Sequence, residues 1–161
     1  MNVTEADVRA VTAHLSDEGD ALDELLGLLA EETSVLGSNL IDELPGITSR
    51  KQALITRLDQ LSGEWLTLMS RLGIDPAPDA VATALRRMDQ AGDLARQREN
   101  NRTTARGCRE INIENGVLIA KRERLAARSL EVLSGTPPSP EAYTRTGTRE
   151  RNRHARPLGS A

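Results

Sequence analysis

The sequence predicts an all-α protein: an elongated antiparallel three-helix bundle, made of a helical hairpin plus a long third helix, with a flexible C-terminal tail. The chain has 161 residues, of which 22 are Leu, with no Phe, one Trp and one Tyr. Its apolar content is therefore aliphatic and consists of good helix formers. The 7 Val and 7 Ile are scattered singly, whereas strands favour alternating runs of β-branched and aromatic residues. Apolar residues recur instead at three- and four-residue spacings, which is typical of helices.

The first helix is predicted over residues 5–37. Thr4 followed by Asp7 forms an N-terminal capping pattern, and the Gly-Ser-Asn run at 37–39 marks the end. Residues 1–45 contain eleven acidic residues and only one basic residue, Arg9. Because the later segments are net basic, we expect this helix to lie against them. Its apolar stripe consists of Val8, Val11, Leu15, Leu22, Leu25, Leu29 and Leu36.

The second helix is predicted to follow the breaker pair Pro45-Gly46 and to end at Gly73. A short turn containing Asp-Pro-Ala-Pro should then return the chain in the opposite direction, which completes a helical hairpin. This helix has the clearest heptad pattern of the chain: Ile47, Leu54, Leu58, Leu61, Trp65, Leu68 and Leu72.

The third helix is predicted from about Asp79 to Ser134 and is about twice as long as its neighbour. Its middle, 96–107, is polar and rich in weak helix formers, so we expect a kink or an overhang there. The predicted domains are a helical bundle at 1–135 and a flexible tail rich in Pro and Arg at 136–161. The tail has too little apolar surface to offset the entropy of ordering, which is typical of segments that fold on meeting a partner.

The residue content argues against an enzyme. His14 and His154 have no catalytic motif around them, so His14 is predicted to lie on a helix surface and His154 in a solvated tail. Cys108 falls on an apolar stripe, where a buried small side chain is the expectation. With one Cys, no glycine-rich phosphate loop and no EF-hand pattern, we expect no cofactor and no metal site.

Charge and hydropathy indicate whether nucleic acid or a membrane is an expected partner. The net charge is −3, although the tail carries five arginines at 145, 149, 151, 153 and 156. Without a second basic element or a set of aromatic side chains, we expect no nucleic-acid partner. No segment has the roughly 18 apolar residues of a membrane span, and the N-terminus lacks a signal-peptide pattern, so no membrane insertion and a cytoplasmic location are expected.

An unusual element occupies residues 111–119, where Asn112, Asn115 and Gly116 interrupt an otherwise aliphatic helical segment. Two asparagines three residues apart share a helical face and can fix the register between helices, while Gly116 allows close backbone approach. One interpretation is therefore packing specificity. The other is direct contact with a partner.

Taken in order, these elements resemble the FlgN-type flagellar export chaperones. The residues that resemble the family are the acidic first helix with Glu-Glu-Thr at 31–33, Lys-Gln-Ala-Leu at 51–54, N-x-x-N-G-x-L-I at 112–119, and Tyr143 with Gly147 in the tail. The stretch 96–107 is less aliphatic than the family pattern, and the Arg-rich end after Gly147 is longer.

The resemblance implies a non-enzymatic cytoplasmic chaperone of type III flagellar export. Such a protein binds the hook-filament junction proteins FlgK and FlgL, prevents their premature assembly and delivers them to the export apparatus, with its export gate and ATPase complex. We expect the end of the third helix and the tail to wrap an amphipathic client helix.

The alternative is a dimeric helical adaptor that associates through the seam Leu54–Leu72 and has no export client. The predicted partner-binding residues are Asn112, Asn115, Gly116, Leu118, Ile119, Leu125, Val132, Leu133, Tyr143 and Gly147. For Leu118, Leu125, Val132 and Leu133 the sequence leaves open whether they contact a client or lie in the core.

Overall fold

A computed structural model describes residues 3–38 and 41–134, and within these ranges the chain is helical, with no strand. A 3-10 turn at Ile41–Glu43 precedes the second helix. Contacts divide the chain into two compact units, 1–122 and 123–161, and α4 contributes residues to both. The α-helices of the described residues are α1 at Glu5–Gly37, α2 at Leu44–Arg71, α3 at Pro78–Met88 and α4 at Asp93–Leu133.

The predicted bounds of α1 are confirmed. Thr4 Oγ1 accepts a hydrogen bond from the Asp7 backbone N–H at 3.2 Å, and the Asp7 carboxylate accepts one from the Thr4 N–H at 3.0 Å. This reciprocal cap satisfies two backbone donors that the start of a helix otherwise leaves unpaired. The hydrogen bonds from Thr4 also lower the pKa of Asp7 below its ordinary value, because they stabilise the charged carboxylate.

α2 packs against α1, but it begins earlier than predicted. Pro45 lies in the first turn of α2 and does not precede it, because a proline there gives up only an N–H that has no partner in the helix. Ion pairs join Asp7 to Arg71 and Glu31 to Arg50. Since the α1 partner rises in number as the α2 partner falls, the two helices are antiparallel.

The predicted third helix is two helices, and the prediction of a kink at 96–107 is wrong. The break lies at 89–92, where Gly92 adopts a positive φ of 77°, a conformation that favours glycine. The Asp89 carboxylate accepts hydrogen bonds from the N–H groups of Leu94 at 3.1 Å and Ala91 at 3.0 Å. These bonds lower the pKa of Asp89, with the Leu94 N–H as the main cause.

Two apolar clusters form the core of the unit 1–122. α3 covers the first cluster, which contains Val11, Leu15, Trp65, Met69, Ile74, Val81, Ala84, Leu85 and Leu94. The second cluster contains Leu25, Leu28, Leu29, Val35, Ile47, Leu54 and Cys108. The α2 residues that would form the seam of an adaptor dimer largely pack inside the unit 1–122 instead, since Leu54, Leu61 and Trp65 are buried there.

Polar side chains of α4 make a ladder along α1. Each donor on α4 reaches a backbone carbonyl that precedes it by 86 residues. A constant separation means that α1 and α4 run parallel, and steps of seven residues return to the same helical face. The rungs are Asn101 Nδ2 to Leu15 O at 2.9 Å, Cys108 Sγ to Leu22 O at 3.6 Å and Asn115 Nδ2 to Leu29 O at 3.0 Å.

This ladder explains why the polar stretch of α4 stays helical. Asn101 is buried, and its amide also donates to Glu18 at 2.9 Å. A Cβ at Gly19 would lie 3.1 Å from the Asn101 side-chain oxygen, so the glycine makes room for that side chain. The close approach that the sequence indicated at Gly116 therefore occurs at Gly19, because nothing lies within 4 Å of a Cβ built on Gly116.

Candidate partner-binding surface

The described part of the second unit, residues 123–134, carries a run of apolar side chains in contact with solvent. Leu125 is 54% exposed, and Leu130, Val132 and Leu133 are more exposed still. A shallow depression is lined by Leu125, Arg128, Ser129, Val132 and Leu133. Exposed apolar residues that occur singly are ordinary on a protein surface, whereas a contiguous group marks an interaction site.

Local sequence explains why these residues form a helix with one apolar edge. Leu125 and Val132 are seven residues apart, so they return to the same face after two turns. Leu133 lies next to Val132 and widens that face. The segment is rich in Leu, Ala, Arg and Glu, all good helix formers, and within the described part of the chain its apolar side chains stay exposed. An amphipathic helix with such an edge is suited to pairing with another helix.

Asn115, one of the predicted partner-binding residues, lies in the interior of the unit 1–122. It is 1% exposed, and its amide donates to Leu29 O at 3.0 Å and to Glu32 Oε2 at 2.9 Å. Its side-chain oxygen accepts a hydrogen bond from Thr33 Oγ1 at 2.8 Å. The structure thus places Asn115 in helix packing, and in this conformation it has no surface for a partner.

A family model described as "FlgN protein" matches residues 1–151. The chain belongs to the FlgN family. This is a family of chaperones of flagellar assembly, and the match covers the helices and part of the segment after residue 134. A search of curated proteins and a search of solved structures each returned no significant match.

Other residues that resembled the FlgN pattern are spread over different environments. Asn112 is exposed, although it is only three residues from the buried Asn115, and Gly116 is exposed as well. Leu118 is 38% exposed and Ile119 is half-buried. Tyr143 and Gly147 lie outside the described residues.

Sequence reasoning missed three exposed apolar residues of α4 in this FlgN-family chain. Ile113 and Val117 are each 61% exposed and are four residues apart, so they share a face of α4. Leu130 lies in the second unit but off the heptad spacing of Leu125 and Val132. The sequence contained a signal for two of them. Ile113 and Val117 have the spacing of one helical face, and that face differs from the face that carries Cys108 and Asn115.

His14 is buried, so the prediction of a surface position is wrong. It is 8% exposed, and its ring lies 5.3 Å from the ring of Trp65 on α2. Burial lowers the pKa of His14, because a charged imidazole would lose its hydration. Cys108 is buried as predicted, and burial raises the pKa of its thiol, which keeps it protonated and unreactive.

Within residues 3–38 and 41–134, no group of three or more His, Cys, Asp or Glu side chains is placed to hold a metal ion. In the same ranges, no helix combines the length and the apolar character required to cross a membrane.

Proposed function

We propose that this FlgN-family protein is a cytoplasmic chaperone of type III flagellar export. In this proposal it binds the hook-filament junction proteins FlgK and FlgL and prevents their premature assembly. It then delivers them to the export apparatus, where the export gate and the ATPase complex are its partners. Membership of the family carries the proposal. The exposed apolar edge at Leu125, Val132 and Leu133 supports it, because such a surface is suited to hold an apolar segment of a client.

The client segment that best fits this edge is an amphipathic helix. Its apolar face would cover Leu125, Val132 and Leu133 and would itself be hidden from self-assembly. Complete burial of a leucine side chain contributes about 1.5–3 kcal/mol. A few such contacts are enough for a complex that forms in the cytoplasm and is released at the export apparatus.

A sizing experiment with purified FlgK and FlgL tests the proposal against the adaptor alternative. The chaperone is expected to form a one-to-one complex with each client. A stable homodimer that ignores both proteins would reject the chaperone proposal and support the adaptor. Leu54, Leu61 and Trp65, which are three of the six apolar residues in the seam that such a dimer was expected to use, are already buried.

Leu125→Asp should weaken client binding by at least about tenfold, a loss of about 1.4 kcal/mol, because it places a charge on the apolar edge. Leu66→Asp is the matched control, since Leu66 on α2 is also 54% exposed. Both variants should keep the wild-type melting temperature. Titration calorimetry with FlgK and FlgL measures the affinities. If the two variants bind the clients with equal affinity, Leu125 is not part of the binding surface.

Tyr143→Ala should weaken binding to a client or to the export gate without a change in thermal stability. The reason is that an aromatic side chain in a polar segment can bury a large area at low rotamer cost. Binding to each partner is measured separately by calorimetry. If both affinities equal those of the wild type, Tyr143 has no role in recognition.

A further inference from the structure

Three helices of the unit 1–122 meet at Trp65. His14 of α1 lies 5.3 Å from the Trp65 ring, centroid to centroid. Arg98 of α4 places its guanidinium carbon 4.6 Å from the centroid of the same ring. Arg98 also donates two hydrogen bonds to the Glu18 carboxylate of α1, at 2.8 and 2.7 Å. The indole of α2 thus contacts a side chain of α1 and a side chain of α4.

His14 is the poorly satisfied member of this group. Its Nε2 is buried and has no hydrogen-bond partner in the described part of the chain. A neutral imidazole can remain there because its ring packs against Trp65. A charged imidazolium cannot be satisfied there, because a buried cation without a hydrogen-bonded partner is costly.

Glu18 lies one turn from His14 on the same helix, the i to i+4 spacing at which a carboxylate can pair with a cation. At present that carboxylate is occupied, since it accepts hydrogen bonds from Arg98 and from the amide of Asn101. A protonated His14 would therefore compete with two residues of α4 for one acceptor on α1.

We propose that His14, Trp65, Arg98 and Glu18 form an acid-sensitive joint. When His14 takes a proton from solvent, it leaves its buried position and pairs with Glu18. Arg98 and Asn101 then lose their shared acceptor, which leaves Asn101 with its single bond to Leu15 O. The first turns of α4 separate from α1 and α2 as that bond breaks. The Asn115 end of the same ladder has its own acceptor, Glu32, and stays in place.

The charges around His14 set the direction of the response. Burial is the largest influence and lowers the pKa of His14, and the Arg98 charge lowers it further. Glu18, Glu64 of α2 and Asp17 act in the opposite sense. Because the closed state binds the proton more weakly than an exposed imidazole, whose pKa is about 6.5, acid favours the open state. The closed joint is fully stable above about pH 6.5 and loses stability as the pH falls below it.

Trp65 reports on this transition because it is the only Trp of the chain. In a titration of the full chain from pH 8 to pH 5, its fluorescence should shift to longer wavelength, with a midpoint below about pH 6.5. His14→Phe keeps a ring against Trp65 without a proton site and should abolish the shift. His14→Gln is the second variant, in case the larger ring does not fit. His154→Gln, at the other His of the sequence, is the control and should retain the shift.

Hydrogen exchange at pH 7.5 and 5.5, corrected for intrinsic rates, locates the opening. Faster exchange is expected in 93–104, with residues 108–119 still protected. The proposal is overturned if the wild type shows no fluorescence shift, or if both His14 variants retain it. It is equally overturned if exchange rises uniformly along the helices, because that outcome is global unfolding.

Discussion

Asn115→Asp should lower the free energy of unfolding by about 4 kcal/mol, which is typical of an unpaired buried charge. The new carboxylate would have the size of the amide but could not donate to Leu29 O or to Glu32, and it would place a second negative charge beside Glu32. Urea unfolding followed by circular dichroism measures the loss. The deficit should shrink as the pH falls, because protonation removes the added charge.

Asn112→Asp is the matched control for this substitution. Asn112 and Asn115 lie three residues apart on α4, yet the first is exposed and the second is 1% exposed. A surface substitution changes stability by at most about 0.5 kcal/mol. Equal effects of the two substitutions would mean that Asn115 is not buried against α1 in solution.

Lys51→Met should lower the free energy of unfolding by about 3 kcal/mol, because it leaves the Glu32 carboxylate buried without its cation. The Glu32 side chain is 1% exposed and that of Lys51 is 16% exposed, and the two form an ion pair between α1 and α2. The Asn115 amide would remain as a hydrogen-bond donor to Glu32 but cannot neutralise its charge. Denaturant unfolding of the single variant gives the loss.

The double variant Lys51→Met with Glu32→Met separates the cost of an unpaired charge from the value of the pair. It should be more stable than Lys51→Met alone, because a buried ion pair replaced by apolar side chains is often close to neutral. Asn115 would still donate to Leu29 O. Arg50→Met supplies the comparison with an exposed pair, since Arg50 and Glu31 are both largely exposed, and such pairs contribute at most about 1 kcal/mol. A double variant less stable than Lys51→Met would contradict this account.

The helical character of the chain and the bounds of α1 could be predicted because they rest on local signals. The capping pair Thr4 and Asp7 acts within one turn, and the apolar stripe repeats over several turns. The charge asymmetry was also informative, since acidic residues of α1 pair with Arg50, Lys51 and Arg98 on the later helices.

The break in the third predicted helix was misplaced because propensity ranks residues one at a time. The stretch 96–107 has weak helix formers, but Asn101 donates two hydrogen bonds to acceptors on α1, which stabilise the helix there. The true break at 89–92 depends on Asp89 and on the positive φ of Gly92. Neither stands out in the sequence as strongly as the polar stretch does.

The candidate surface was predicted in part, because a heptad spacing identifies a face without showing what covers it. Leu125, Val132 and Leu133 were left open between core and surface, and the structure leaves them exposed. For Asn112 and Asn115 the sequence indicated one shared face, whereas only Asn115 is buried. The rotation of α4 about its own axis separates the two, and that rotation depends on the ladder to α1.

Residue order alone was therefore enough to predict that the chain is helical within residues 3–38 and 41–134 and that an acidic first helix has defined ends. It also gave a predicted hairpin and a family resemblance. The helices and their ends depend on interactions within a few turns of one helix, whereas the hairpin depends on a short connecting turn and the resemblance on short residue motifs. Three-dimensional packing was needed to show that His14 and Asn115 are buried, that Gly19 makes room for Asn101, and that Cys108 belongs to a polar ladder. Those outcomes depend on contacts between residues more than eighty positions apart, or between separate helices, which no local pattern encodes.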